Sequence, residues 1–200
     1  MLIKIFDLTY EFSNELVSIE PMFKKINEII NGSEYFFSHL IIDNVGIYED
    51  YDSYIAEYIY QIQEIKVEVL TVQQFINNLL LSAEQYLTRA LPEINKLTEE
   101  FYQDPTSETW EKLQLLLEGL QWINQMIISI DNSKHYLGNW FESIDYSAKI
   151  GEELKNLQEG MENIDTILIG DIILYDIYPL LEDFKNKVGK IIGQTDIREN

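Results

Sequence analysis

Residues 110–130 restrict the fold of this chain more than any other stretch. Leu113, Leu117, Leu120, Ile123, Ile127 and Ile130 recur every three or four positions, the stripe of an amphipathic helix. Leu115, Leu116, Trp122, Met126 and Ile128 add apolar surface on other sides. A helix apolar on more than one side has to be covered on more than one side, so this segment is expected at the centre of a helical bundle.

Its neighbours carry stripes of the same kind. From Val72 to Phe101 apolar residues fall at helical spacing, interrupted by Pro92, which is expected to kink the helix near Leu91. Asp104 and Pro105 have the chemistry of a helix cap and first position. Residues 133–161 form a third helical segment, weakened by Gly138 and Gly151. The last helix carries Ile169, Ile173, Ile177, Leu180, Phe184, Val188 and Ile191, with a kink expected at Pro179. Four helices with short connections predict an antiparallel bundle over residues 72–192, followed by a frayed tail, 193–200.

The first third has a different texture. Residues 1–6 read as a strand and Thr9 to Phe12 as a second. Pro21 opens a helix through Ile30, which Asn31-Gly32 ends. Residues 35–42 are rich in β-formers, Asp43-Asn44-Val45-Gly46 is a turn, and Ile47-Tyr48 returns. Asp50 or Asp52 is placed to cap a short helix over 51–60. Ile65, Val67, Val69 and Thr71 then alternate with Glu64, Lys66, Glu68 and Leu70, the clearest strand in the chain.

That succession resembles the ubiquitin-like β-grasp. The likeness is carried by residues 1–12 as the opening hairpin, 21–31 as the grasped helix, 39–47 as strand, turn and strand, and 65–71 as the closing strand. It covers about a third of the chain and lies in topology, not in a motif. The closing strand runs on into helix, so the resemblance implies no free diglycine tail and no conjugated modifier. If Thr9 to Phe12 is not a strand, the pattern becomes ferredoxin-like. The expected fold class is thus α+β: a small β-grasp-like or ferredoxin-like module, residues 1–71, then an antiparallel helical bundle.

Composition narrows the function. Fourteen Lys and Arg against 35 Asp and Glu give a net charge of −21. Such a chain repels phosphate backbones and anionic membrane surfaces, which argues against nucleic-acid and membrane partners, and it attracts basic ones. No cysteine is present, which removes disulfides, thiolate nucleophiles and thiolate metal ligands and suits a reducing, cytoplasmic setting. Residues 1–12 do not read as a signal peptide.

Reactive motifs are sparse. The two histidines, His39 and His135, have no second ligand at metal-binding spacing, and no phosphate-binding glycine loop or nucleophile elbow occurs. Glu49, Asp50 and Asp52 cluster beside a turn, where a solvated turn competes with weak Ca²⁺ or Mg²⁺ binding. Asp171 and Asp176 stand among apolar neighbours, so each must point outward, be paired, or line a groove. Tyr48, Tyr51, Tyr54, Tyr58 and Tyr60 crowd one short stretch, and tyrosine is an interface residue.

These features point to a non-catalytic interaction or adaptor protein without cofactor or metal. Its candidate contact surface is Tyr48, Tyr51, Tyr54, Tyr58, Asp171 and Asp176, and its partner is another protein, a basic one, or a second copy of itself. A chaperone for a secreted or assembling subunit is one version. Two other readings stay open: a metal-dependent enzyme with a carboxylate site between the modules, and a structural homodimer.

Overall fold

The structure, a computed structural model, describes residues 1–132 and 144–194. The chain divides into two compact units, Met1–Phe75 and Ile76–Asn200.

The first unit is a five-stranded sheet with helices. β1 (Leu2–Ile5) and β2 (Leu8–Glu11) form a hairpin, and a single 3₁₀ turn, Leu16–Ser18, leads into α1 (Ile19–Asn31). β3 (Tyr35–Ile42), β4 (Val45–Ile47), α2 (Tyr51–Tyr58) and β5 (Glu64–Thr71) follow. The strand order is β2-β1-β5-β3-β4. β1 runs parallel to β5, and the other pairs are antiparallel. This is the order and sense that the β-grasp expectation requires. The ferredoxin-like alternative falls because β2 is a strand, registered on β1 from Leu2–Glu11 to Ile5–Leu8.

Local chemistry accounts for the turns. Asp43 and Asn44 both have positive φ, 46° and 72°, so β3 and β4 are joined by the two-residue turn whose twist matches that of the strands. The Asp43 carboxylate accepts from the backbone N–H groups of Gln63 and Glu64. Asn14 ties the unit together: its Nδ2 donates to the carbonyls of Ile59 and Ile62, each at 2.7 Å, and its Oδ1 accepts from the Met1 amine. Ile3, Ile5, Leu40, Ile42, Ile65 and Val67 from the sheet and Met22, Ile26 and Ile30 from α1 make the core. Two expectations change. Gly32 ends α1 with φ −87°, outside the left-handed region, and Asp50 precedes α2 without a side-chain cap bond.

β5 passes into α3 (Val72–Phe101) through a reciprocal cap: Gln74 N–H donates to Thr71 Oγ1, and Thr71 N–H donates to Gln74 Oε1. Helix α3 continues through Pro92. Next come α4 (Ser107–Asn132), α5 (Ile144–Glu162), α6 (Thr166–Asp171), a π-helical stretch Ile172–Ile177, and α7 (Tyr178–Gln194). Thr106, rather than Asp104, caps α4, exchanging hydrogen bonds with Thr109. The expected tail is outside the described residues from 195 onward, as are His135 and the rest of 133–143.

In the second unit the helices pair antiparallel in a ring. Glu100 meets Lys112 and Tyr86 meets Trp122, which sets α3 against α4. Ser147 donates to Asn124, and Leu117 and Gln121 lie by Leu154 and Gln158, which sets α4 against α5. Tyr146 donates to Asp183 and Gly160 abuts Ile169, which sets α5 against the α6–α7 run. Tyr102 meets Asp171 and Glu84 lies over Gly189, which closes the ring between that run and α3. Among the described residues the result is an up-and-down four-helix arrangement. In it α4 is one of four walls and not an axis, which corrects the expectation of a central helix. Leu115, Trp122 and Ile128 are therefore left exposed, at 64%, 37% and 44%.

Candidate functional site

Two parallel stripes run along α3. Leu80, Ala83, Leu87, Leu91 and Ile94 are buried and face the bundle core. Ser82, Tyr86, Arg89, Ala90, Glu93 and Leu97 fall at the same helical spacing one step round the helix, and they form one wall of an open groove. On α4, Lys112, Leu115, Leu116, Glu118, Gly119 and Trp122 form the other wall. The volume is about 770 Å³, within the range of ligand-binding clefts. At 1.5 Å per residue the stripe from Ser82 to Leu97 spans roughly 22 Å, about four helical turns.

Shape in the middle of the groove is set by a glycine. Gly119 is buried, and a Cβ built on it would overlap Tyr86 Oη and lie 2.7 Å from Tyr86 Cζ. The tip of the Tyr86 ring therefore rests on the α4 backbone. There it meets Trp122 edge-on, with centroids 5.6 Å apart. Burial pushes the Tyr86 phenol above its usual pKa. The result is an aromatic pair whose rings are held in place while Trp122 and Leu115 stay open to solvent.

Charges rim the groove unevenly. At one end Lys112 bridges Glu100 at 2.7 Å and Glu108 at 3.1 Å. Lys112 and Thr109, both donating to it, hold the Glu100 carboxyl below its usual range, and Glu100 in turn raises Lys112. Glu93 pairs with Lys96. Arg89 is exposed, its Nε donates to the Gln85 carbonyl at 3.3 Å, and it enters no ion pair among the described residues. Counting along the antiparallel helices from the Tyr86–Trp122 and Glu100–Lys112 contacts puts Arg89 level with Gly119 and Leu120.

The residues singled out from sequence lie elsewhere. Tyr48 is exposed and stacks on His39 with centroids 4.4 Å apart. Tyr51 is half-buried, donates to the Tyr48 carbonyl and meets Phe37 edge-on; burial, with Glu49 nearby, raises its phenol. Tyr54 packs against the core of its own unit and touches Tyr58, whose phenol is raised by its hydrogen bond with Glu57. Tyr60 is exposed. A hollow beside α1, lined by Phe23, Phe37, Tyr51 and Asp52 among others, takes in one tyrosine of the set, and half of its side chains are polar. Asp176 is exposed. Asp171 accepts from Tyr102 Oη at 2.7 Å, which lifts that phenol to about 12. Among the described residues no three His, Asp or Glu side chains gather in a way that could hold a metal ion, and no helix is long and apolar enough to cross a membrane.

Sequence reasoning passed over the α3–α4 groove because it assigned Leu115 and Trp122 to the core. The signal was present: an apolar fraction of α4 larger than two flanking helices can cover. Among known proteins, a family model described as a domain of unknown function (DUF8042) matches residues 78–187, which takes in both groove walls entirely. No curated protein and no solved structure matches the chain.

Proposed function

Starting from the DUF8042 family, a domain of unknown function to which this chain belongs, we propose that the protein is a non-catalytic binding module. Its α3–α4 groove takes an amphipathic helix of a basic partner protein. The observation that carries this reading is the open apolar groove itself, with Leu115 and Trp122 exposed along about four turns of helix. A helix laid in such a groove buries anchors spaced three and four residues apart. Tryptophan and tyrosine held in fixed positions are the side chains that dominate such contacts. The net charge of −21 supports a basic occupant. We read the sheet unit as a ubiquitin-like module accompanying this binding site, and the cysteine-free chain as cytoplasmic.

An 18-residue amphipathic peptide built from leucine and lysine tests the reading. Titrated into the full-length protein, it is expected to bind one to one and to shift tryptophan emission. Leu115→Glu and Trp122→Ala are each expected to weaken binding by tenfold or more, about 1.4 kcal/mol or above, with circular dichroism unchanged. A peptide that does not bind, or binds Leu115→Glu equally well, overturns the reading. Light scattering of the free protein tests the rival occupant: a dimer dissociated by Leu115→Glu assigns the groove to a second copy.

A further inference from the structure

The helical hairpin that carries the groove is acidic but has one unneutralised cation. Residues 82–122 hold eight acids (Glu84, Glu93, Glu99, Glu100, Asp104, Glu108, Glu111 and Glu118) and three bases (Arg89, Lys96 and Lys112), a net of 3 − 8 = −5. Lys96 is paired with Glu93, and Lys112 with Glu100 and Glu108. Arg89, the only arginine among the described residues, is the exception. It sits on the groove wall near the middle of the stripe, level with the Gly119 floor on which Tyr86 rests.

We propose that Arg89 is the specificity-determining residue of the groove: it requires an acidic side chain at the middle turn of an otherwise basic occupant. This rests on the reading of the groove as a helix-docking site. On the groove walls, where Lys112 is already bridged by Glu100 and Glu108, a lysine of the bound helix meets opposite charge at Glu93 and Glu118. Beside Arg89 it meets a like charge at an edge that docking partly desolvates, where repulsion strengthens. A glutamate at that position instead meets the planar guanidinium, whose fork accepts a carboxylate in two parallel hydrogen bonds. Because the Arg89 Nε is turned to the Gln85 carbonyl, the terminal amino groups are the ones left to contact the occupant. The groove thus selects a charge pattern as well as an apolar stripe.

Two peptides and two variants test this with the full-length protein. One peptide is the leucine–lysine helix, and the other carries a single Lys→Glu change at its central turn. The wild type is expected to prefer the glutamate peptide by roughly fivefold or more at low salt, with the preference shrinking as salt rises. Arg89→Gln is expected to abolish the preference, and Arg89→Glu to reverse it in favour of the all-lysine peptide. Arg89 is exposed, and neither change disturbs the core. If both peptides bind equally and the two variants change nothing, the assignment of Arg89 is wrong while the groove keeps its occupant. If neither peptide binds, the docking reading fails and this inference falls with it.

Discussion

Replacing Gly119 with alanine sets two effects against each other. Glycine inside a helix costs about 1 kcal/mol relative to alanine, so at an open position the substitution would stabilise. Here the new methyl group would overlap Tyr86 Oη and stand 2.7 Å from Tyr86 Cζ. The ring must leave its seat, giving up its edge-on contact with Trp122. Overpacking of this kind costs about 1–3 kcal/mol, and the net expectation for Gly119→Ala is a loss of about 0–2 kcal/mol. In a Tyr86→Ala background the obstruction is gone, and the same substitution should stabilise by about 1 kcal/mol. The double-mutant cycle should therefore return a coupling of about 1–3 kcal/mol. Urea unfolding followed by tryptophan emission is the suitable assay, because all three tryptophans, Trp110, Trp122 and Trp140, belong to the second unit. Gly119→Ala that stabilises the otherwise unaltered protein by the full helical increment, with a coupling near zero, would refute the seating of Tyr86 on α4.

Two further outcomes follow from specific bonds. Tyr102 donates to Asp171, and its pKa stands at about 12 against an ordinary value of 10.0; the folded state favours the protonated phenol, so the stability this contact supplies is complete below pH 10 and lost as pH rises toward 12. Spectroscopic tyrosinate titration should show one late-ionising tyrosine lost in Tyr102→Phe and ionising earlier in Asp171→Asn, and a titration unchanged in both would count against the contact. Asn14→Ala removes two hydrogen bonds to the carbonyls of Ile59 and Ile62, for an expected loss of about 2–3 kcal/mol; hydrogen exchange should quicken at the amides of β1 and β5, and unaltered protection there would contradict the role given to this side chain.

The sheet unit was legible in the sequence because its signals are local. Asp43-Asn44 has turn chemistry, and Ile65, Val67 and Val69 alternate with polar residues, so hairpin and strand could be placed without knowing what they pack on. Pairing partners could not, since β1 joins β5 across about sixty residues; only the topological likeness supplied that. In the helical unit, periodicity located the helices but not what covers them. Leu115 and Leu116 both stand off the main stripe, yet Leu116 is buried and Leu115 is 64% exposed, because coverage depends on the ring of neighbours. The stripe of the last helix went wrong by one residue: Leu180 and Ile191 were expected to face inward, whereas Leu181 and Ile192 do. The cause is the π-helical stretch before Pro179. There Tyr178 N–H donates to the Ile173 carbonyl, five residues back, so that turn takes up extra chain; Phe184 and Val188 still face inward as expected, and only the positions before and after them move, to Leu181 and Ile192.

That stretch behaves as a single residue's surplus absorbed within a helix. Tyr175, at its middle, is 68% exposed. Were it excised, the intervals from Ile173 through Ile177, Leu181, Phe184, Val188 and Ile192 would fall into the alternating threes and fours of an uninterrupted α-helix. Deletion of Tyr175 alone would therefore leave the same apolar side chains turned to the interior, with the rest of the last helix in its present register.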